Sequence, residues 1–408
     1  MYCTNIHPGE TWAAVFESLR TYLPPIKARV SPDRPFAVGL RLSDLASREL
    51  EQDGRVAEFK AWLDRHGLYV PLINGFPFGS FHGSVVKDDV HRPDWTTSER
   101  LAYTKRLARL LAALLPAGLA GGISTSPLSY KPWLAGDEAQ TQAVLQRSTQ
   151  HLAELVEELV ALRQATGQLI HLDIEPEPDG LLETSAGFID YYTAYLLPQV
   201  SAHLQRRLGL PPTDAAQAVR DHVQLCYDVC HFALAYEEPA TVLDRLERAG
   251  IRVGRVQISA ALKADLPAGA AARGALAQEF GAFAESTYLH QVVVRNEDGS
   301  LTQYPDLPAA LPHIADERAR EWRSHFHVPV FLNRYNQLQS TQADIQRVVQ
   351  LLLKQPFTSY LEVETYTWEV LPEEIKQALG ASIARELRWV QAQLSQPVPL
   401  PAAVGVVG

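Results

Sequence analysis

Short apolar segments alternate with longer amphipathic segments along most of the chain. The apolar segments predict strands at 2–6, 36–42, 67–74, 119–125, 168–175, 223–228, 253–259 and 359–364. The amphipathic segments predict helices, most clearly at 98–115, 138–166, 184–206, 239–249 and 272–282. Because strands and helices alternate, the strands should be parallel, and eight such units predict a closed (β/α)8 barrel. An open, doubly wound sheet would usually carry a glycine-rich phosphate turn after an early strand, and the sequence has none.

A barrel of this kind needs about 250 residues, so a chain of 408 residues carries additional material. Between the seventh and eighth units, Val292–Val294 and Leu301–Tyr304 flank an Asp-Gly turn and predict a β-hairpin. His325–Val330 predicts another short strand. We expect residues 285–335 to form an elaboration over the barrel mouth within a single domain, 1–394. The Pro-, Val-, Ala- and Gly-rich residues 395–408 should form a poorly ordered tail.

Composition narrows the classes of partner. A formal net charge of -10 without a basic run argues against nucleic acid. The first residues lack the basic and apolar regions of a secretory signal, and no stretch reaches the ~20 apolar residues of a membrane span. We therefore expect no integral membrane segment and a cytoplasmic location. Cys3, Cys226 and Cys230 do not form a zinc-ribbon pattern and are expected to be buried free thiols. The oligomeric state stays open.

The candidate chemistry lies where three predicted strands end. Acidic or imidazole side chains occur there in the segments 171–175, 227–231 and 361–366. Carboxylates are costly to bury alone, and the strand ends of a barrel meet at one mouth. These segments therefore predict a shared divalent metal ion.

Strand alternation selects particular carboxylates. Glu175 shares a strand face with Asp173 and lies nearest the strand end, just before a proline. Glu364 should face the site in the same way, whereas Glu362 is expected to be a deeper salt-bridge partner. The alternative for Asp173 and Glu175 is a pair of buried ion pairs with Arg or Lys from neighbouring strands.

The imidazole ligand is less clearly defined by the sequence. Asp228 and His231 have the Asp-x-x-His spacing that brings a strand end and the following turn to one site. The strand at 253–259 offers Gln257 where a histidine would suit a metal better. His327 or His325, from the predicted extra strand, could supply the missing nitrogen. The alternative is that both only cover the barrel mouth.

Polar and aromatic residues on the mouth side predict a pocket for a polyol or sugar-like metabolite. The candidate substrate-binding residues are His7, Asn74, His82, Trp95, Ser124, Glu177, His325 and Trp368.

The order of Glu175, Asp228-x-x-His231, a polar residue and Glu364 resembles the xylose-isomerase-like barrel superfamily of sugar and sugar-phosphate isomerases and epimerases. The resemblance implies one divalent ion held by Glu175, Asp228 and Glu364. The residues themselves add His327 and Gln257 as further candidate ligands and are compatible with Mn, Mg, Zn or Fe. The resemblance also implies that Glu175 and Glu364 transfer protons and that His231 contacts the substrate, completing the catalytic set. Gln257 departs from the family pattern, which has histidine on this strand.

A second resemblance covers nearly the whole chain. Segments such as Asn5-Ile-His-Pro-Gly-Glu-Thr-Trp12, Asn74-Gly-Phe-Pro-Phe-Gly79 and His171-Leu-Asp-Ile-Glu-Pro-Glu-Pro178 are similar to the EboE family of metabolite traffic proteins. Arg92-Pro-Asp-Trp95 and Leu361-Glu-Val-Glu-Thr-Tyr-Thr-Trp368 are similar in the same way. This resemblance implies a step in making or exporting a secondary metabolite, with partners from the same pathway.

Together these features predict metal-assisted proton transfer next to a carbonyl, giving an epimer or an aldose/ketose isomer. One alternative is a metal-dependent hydrolase or endonuclease, which would need more histidine ligands and several ions. The other is a non-catalytic metabolite-binding module, and Gln257 favours it.

Overall fold

Parallel strands form the central sheet of the structure, a computed structural model that describes residues 1–79, 86–365 and 378–396. The strands are β1 (Phe36–Arg41), β2 (Leu68–Asn74), β3 (Gly121–Thr125), β4 (Ile170–Ile174), β5 (Val223–Asp228), β6 (Val253–Ile258), β7 (Leu262–Asp265), β8 (Val292–Asn296), β9 (Leu301–Tyr304), β10 (Ala319–Ser324), β11 (Arg334–Tyr335), β12 (Leu338–Ser340) and β13 (Leu361–Val363). The parallel sheet has the order β1-β2-β3-β4-β5-β6-β13.

The amino-terminal residues close this sheet into a barrel. Tyr2 forms a parallel bridge with Val363 on β13, and Cys3 forms one with Gly39 on β1. The Cys3 N–H donates to the Val363 carbonyl over 2.9 Å. The predicted strand 2–6 is therefore shorter than expected, because Thr4–Ile6 turn into a 3-10 helix. The eight-unit (β/α)8 barrel is confirmed.

Helices pack on the barrel and on the strands that lie between β6 and β13, and their buried apolar residues join the core. They are α1 (Trp12–Val30), α2 (Asp44–Leu50), α3 (Arg55–Arg65), α4 (Ser98–Leu114), α5 (Glu138–Thr166), α6 (Ser185–Tyr191), α7 (Leu197–Leu208), α8 (Pro212–His222), α9 (Val229–Leu234), α10 (Pro239–Arg248), α11 (Ala270–Gly281), α12 (Leu307–Ala310), α13 (Gln342–Lys354) and α14 (Leu379–Leu394). No helix in the described ranges combines the length and apolarity needed to cross a bilayer.

A six-stranded antiparallel sheet is inserted between β6 and β13, in the order β11-β12-β7-β10-β8-β9. It contains the predicted hairpin, β8 and β9, whose turn includes Gly299 at φ 83°. The predicted strand His325–Val330 is wrong: β10 ends at Ser324. The His325 N–H instead donates to the Gln291 carbonyl and the Val328 N–H to that of Ala260, so this segment crosses from the insertion to the barrel.

A buried ion network lies inside the barrel. The Arg255 guanidinium, on β6, donates to Asp173 on β4 over 2.9 Å and to Glu362 on β13 over 3.0 Å. It also donates to the Ile73 carbonyl over 3.3 Å. Glu362 is thus the salt-bridge partner that the sequence predicted, and the ion-pair alternative holds for Asp173.

Glycine makes room for this network. A Cβ atom on Gly39 would lie 1.6 Å from Oε1 of Glu362. Gly274, in the middle of α11, has open space where its Cβ would be.

We expect Gly39→Ala to lower the free energy of unfolding by about 1–3 kcal/mol, because the added methyl group displaces a buried carboxylate. Gly274→Ala, the matched control, should raise it by about 0.5–1 kcal/mol through helix propensity. Urea unfolding of both variants measures the difference. A Gly39→Ala protein as stable as the wild type would show that the floor of the barrel can rearrange.

Candidate metal centre

Three buried carboxylates meet at the carboxyl ends of separate barrel strands. Glu175 follows β4, Asp228 ends β5, and Glu364 follows β13. One oxygen of each lies within 4.8 Å of the corresponding oxygens of the other two. At most 4% of each residue is exposed. The structure thus brings together the three carboxylates singled out in the sequence.

Two of these carboxylates present an oxygen atom without a protein partner. Oε2 of Glu175 and Oδ2 of Asp228 are buried and receive no hydrogen bond. The other oxygen of Asp228 is held by the Ser259 hydroxyl, at 2.7 Å, and by the His231 backbone N–H, at 3.1 Å. Buried carboxylate oxygens without donors are costly, and a divalent cation would satisfy them. The donor set therefore fits a hard or borderline metal ion.

Glu364 is held differently. Its Oε1 accepts hydrogen bonds from the side-chain amides of Asn5, at 2.7 Å, and Asn74, at 3.0 Å. Asn5 arrives with the amino-terminal segment that closes the barrel, and Asn74 ends β2. Two donors on one oxygen fix the orientation of the carboxylate. The other oxygen, Oε2, lies 3.6 Å from Nδ1 of His327.

Burial and mutual repulsion dominate the electrostatics of the two glutamates. Burial raises the pKa of Glu175 well above its ordinary value, and the charges of Glu364 and Asp228 raise this pKa further. Burial, followed by the charges of Asp228 and Glu362, likewise raises the pKa of Glu364. Neither Lys nor Arg from the described part of the chain forms an ion pair with Glu175, Asp228 or Glu364.

Two histidines beside the carboxylates, His231 and His325, have a lowered pKa, which favours the neutral imidazole. Burial lowers the pKa of His231 well below its ordinary value, and neighbouring His327 lowers it further. Burial, followed by His231 and His327, also lowers the pKa of His325. A neutral imidazole can act as a metal ligand or as a hydrogen-bond acceptor for substrate.

A cavity with an empty volume of about 620 Å³, including its open mouth, leads to the three carboxylates. It is lined by both apolar and polar side chains, the mixture that is usual for small-molecule sites. Its apolar lining comes from the loop after β2, the following 3-10 helix and the insertion: Phe76, Pro77, Val86, Val90, Tyr288 and Leu289. The predicted residues Asn74, Glu175, Glu177, His231, His325, His327 and Glu364 also line it.

Other predicted site residues lie elsewhere. Trp95 is fully buried and donates to Thr125 over 2.9 Å, and Ser124 is buried on β3. His7 contacts the Tyr2 hydroxyl at 2.9 Å and stacks on Tyr22. None of these three is among the described residues that line the cavity. His82 and Trp368 lie outside the described residues.

Gln257 occupies the strand position where a histidine was expected, and its side chain is bonded to a neighbouring cysteine. Its Oε1 accepts a hydrogen bond from the Cys226 thiol at 2.9 Å, and its Nε2 is buried without a partner. The three cysteines are buried free thiols, as predicted.

Three polar residues of the cavity wall, His91, Gln291 and Asn5, were not predicted from the sequence. His91 lies 2.9 Å from Glu177, and Gln291 bonds to His325 at 2.8 Å. Asn5 follows the residues that close the barrel and donates to Glu364. A polar amide directly after a barrel strand is the sequence feature that indicates such a role.

No protein-family model matches the chain, and no curated protein matches its sequence. Solved structures match its shape. A xylose isomerase-like TIM barrel protein from Mycobacterium smegmatis, in complex with magnesium, is 13% identical, with 91% of this chain and 86% of that chain covered and a TM-score of 0.46. The IOLI protein with a bound zinc atom is 12% identical, with 97% of each chain covered and a TM-score of 0.46. A D-tagatose 3-epimerase-like protein is 10% identical, with 96% of each chain covered and a TM-score of 0.48.

Identities and TM-scores this low carry no information about the reaction or substrate of this chain. Its function has to follow from the side chains at the mouth of its own barrel.

The raised pKa values predict how pH affects the metal-free protein. Above the ordinary carboxyl pKa of 4.5, the unfolded chain loses protons that the folded chain keeps on Glu175 and Glu364. The free energy of unfolding should therefore fall as pH rises from about 5 to about 8. Urea unfolding of chelator-treated protein at several pH values measures this slope.

The Glu175→Gln, Glu364→Gln double variant is the control, because its amides do not titrate. Its slope should be smaller than that of the wild type. Equal slopes in the two proteins would show that other groups cause the pH dependence.

Proposed function

We propose that this chain is a divalent-metal-dependent isomerase or epimerase that acts on a sugar-like or polyol metabolite. One observation carries the proposal: Glu175, Asp228 and Glu364 converge at the barrel mouth, at the end of a cavity. They are buried there without lysine or arginine partners among the described residues. Convergent carboxylates with perturbed pKa values in a cleft are typical of proton-transfer sites.

Glu175, Asp228 and Glu364 would hold the ion, with His327 and Gln257 as further candidates. When bound, a divalent ion polarises the oxygens of a carbonyl or hydroxyl group and stabilises negative charge on them. Carboxylate oxygens suit magnesium or manganese, and an imidazole nitrogen would extend the choice to zinc or iron.

The two glutamates are suited to different parts of proton transfer. Oε2 of Glu175 has no hydrogen-bond donor. The oxygen of this carboxylate that does not hold the ion would therefore be available to accept a proton from a carbon atom next to a carbonyl group. Glu364 is fixed by Asn5 and Asn74, so it can return a proton from a defined position. His231 offers a neutral imidazole to a substrate hydroxyl group.

The cavity wall supports a neutral substrate. Of the described residues that line it, Lys87 is the only lysine or arginine. The Lys87 ammonium group is already paired with Asp306 at 2.6 Å and with the Tyr288 carbonyl at 3.1 Å. A phosphate group would find no unpaired cation there, whereas hydroxyl groups would meet Glu177 and His91.

We assign the chain to secondary metabolism only through its resemblance to EboE proteins. The cytoplasmic location, the pathway partners and the EboE assignment itself stay predictions. A metabolite-binding module without turnover is the second candidate. The neutral amide of Gln257, engaged by Cys226, favours it.

Manganese binding tests the oxygen-rich site directly. Chelator-treated wild-type protein should bind one Mn²⁺ in this site, detected by electron paramagnetic resonance, and the Glu175→Gln, Glu364→Gln double variant should not. Glu177→Gln, a cavity carboxylate outside the cluster, should keep the ion. If the folded wild type takes up no Mn²⁺, Mg²⁺, Zn²⁺ or Fe²⁺, the metal-dependent enzyme is excluded.

Deuterium exchange tests the chemistry without knowledge of the natural substrate. Neutral ketoses incubated with Mn²⁺-loaded protein in heavy water should gain deuterium next to the carbonyl group. Glu175→Gln should slow this exchange by about 100- to 10,000-fold, because the proton acceptor is removed. Glu154→Gln, an exposed position on α5, is the control.

Exchange that survives Glu175→Gln unchanged would contradict the assigned role. Metal-dependent binding of a ketose without any exchange would instead support the binding module.

A further inference from the structure

Three histidine side chains cluster beside the carboxylates, and two of them come from the insertion. His231 lies on α9, directly after β5, while His325 and His327 lie on the segment that follows β10. The ring centroids are 4.9 Å apart for His231 and His325, and 5.5 Å apart for each pair that includes His327. All three are buried.

Hydrogen-bond partners fix which nitrogen of two of these rings carries a proton. Nδ1 of His231 lies 3.0 Å from the Pro176 carbonyl oxygen, and Nδ1 of His327 lies 2.9 Å from that of Glu364. A carbonyl oxygen only accepts, so each Nδ1 must carry the hydrogen atom.

The same reasoning applies to His325 through one further step. Its Nδ1 lies 2.8 Å from Oε1 of Gln291. The Gln291 amide is oriented by its Nε2, which donates to the Pro178 carbonyl over 3.3 Å. Nδ1 of His325 is therefore also the protonated nitrogen.

Because the hydrogen-bond partners place the ring hydrogen atoms on Nδ1, each Nε2 is left as a possible acceptor. Nε2 of His231 and Nε2 of His325 lie only 3.2 Å apart, so two nitrogens that are both placed to accept are in contact. Such a contact is repulsive unless a cation or a shared proton lies between the nitrogens. Two nitrogen ligands of a tetrahedral zinc ion are separated by about 3.3 Å, given bond lengths of about 2.0–2.1 Å.

We propose that His231 and His325, with His327 beside them, form a second cation position that prefers zinc-like ions and adjoins the carboxylate site. Each ring donates its Nδ1–H to an oxygen atom, which is the outer hydrogen bond that metal-bound histidines usually make. Asp228 has an oxygen within 4.8 Å of ligand atoms of His231 and His327 and also belongs to the carboxylate cluster. It would link the two positions. This inference does not depend on the isomerase reaction.

Zinc stoichiometry tests the proposal. Calorimetric titration of chelator-treated protein with Zn²⁺ should give two equivalents for the wild type, one in each position. His325→Phe keeps a ring of similar size but removes the nitrogen, so it should bind one equivalent fewer. The Glu175→Gln, Glu364→Gln double variant should also bind one fewer, retaining the ion on the imidazoles. His313→Ala, an exposed histidine in the insertion, should match the wild type.

A second measurement keeps the test valid if His325→Phe does not fold. In wild-type protein loaded with cadmium and labelled with nitrogen-15 in histidine, the metal should show scalar coupling to Nε2 of His231 and His325. Absence of this coupling at saturation would overturn the proposal.

The outcomes separate this proposal from the proposed function. If the wild type binds Mn²⁺ but takes up only one equivalent of Zn²⁺, the two imidazoles share a proton and the second position does not exist, whereas the carboxylate site stands. Two equivalents of Zn²⁺ in His325→Phe would likewise overturn the second position.

Discussion

The candidate site depends on one buried guanidinium group. Arg255 joins β6 to β4 and β13 through Asp173 and Glu362, and it is fully buried. Side chains two residues apart in a strand point to the same face. Asp173 and Glu362 therefore stand directly below Glu175 and Glu364, and the ion pairs that fix the lower layer also fix the register of the upper one. Removing one partner of a buried pair costs about 3–5 kcal/mol.

The two layers differ in their charge balance. The lower carboxylates share Arg255, and glycine residues provide the space: Cβ atoms on Gly39 and Gly254 would lie 1.6 Å from Glu362 and 1.9 Å from Asp173. The upper layer has three carboxylates with imidazoles beside them, and no lysine or arginine among the described residues pairs with them. Negative charge in the upper layer is thus compensated by protons or by metal ions. The lower layer therefore stabilises the barrel, whereas the upper layer carries the candidate chemistry.

Local patterns allowed the barrel and much of this site to be predicted from the sequence. Strand alternation identified Glu175 and Glu364 as inward-facing and Glu362 as a salt-bridge partner. The segment 325–330 was misjudged because its apolar alternation resembles a strand, while its conformation is set by distant contacts with Gln291 and Ala260. The role of Asn5 could not be predicted either, since a single amide in a loop forms no periodic pattern.

Barrel closure has a consequence for how the chain reaches its folded state. The pairing of Tyr2 and Cys3 with Val363 and Gly39 joins segments that are far apart in the chain, and such long-range pairing is slow to form. Until β13 is in place, β6 and β1 both present open strand edges, which can pair with other chains. Glu364 follows β13, so a barrel without this strand also lacks one member of the carboxylate cluster. A partly assembled barrel would therefore be both prone to aggregation and unable to assemble its full set of ligands, which couples chemical competence to complete folding.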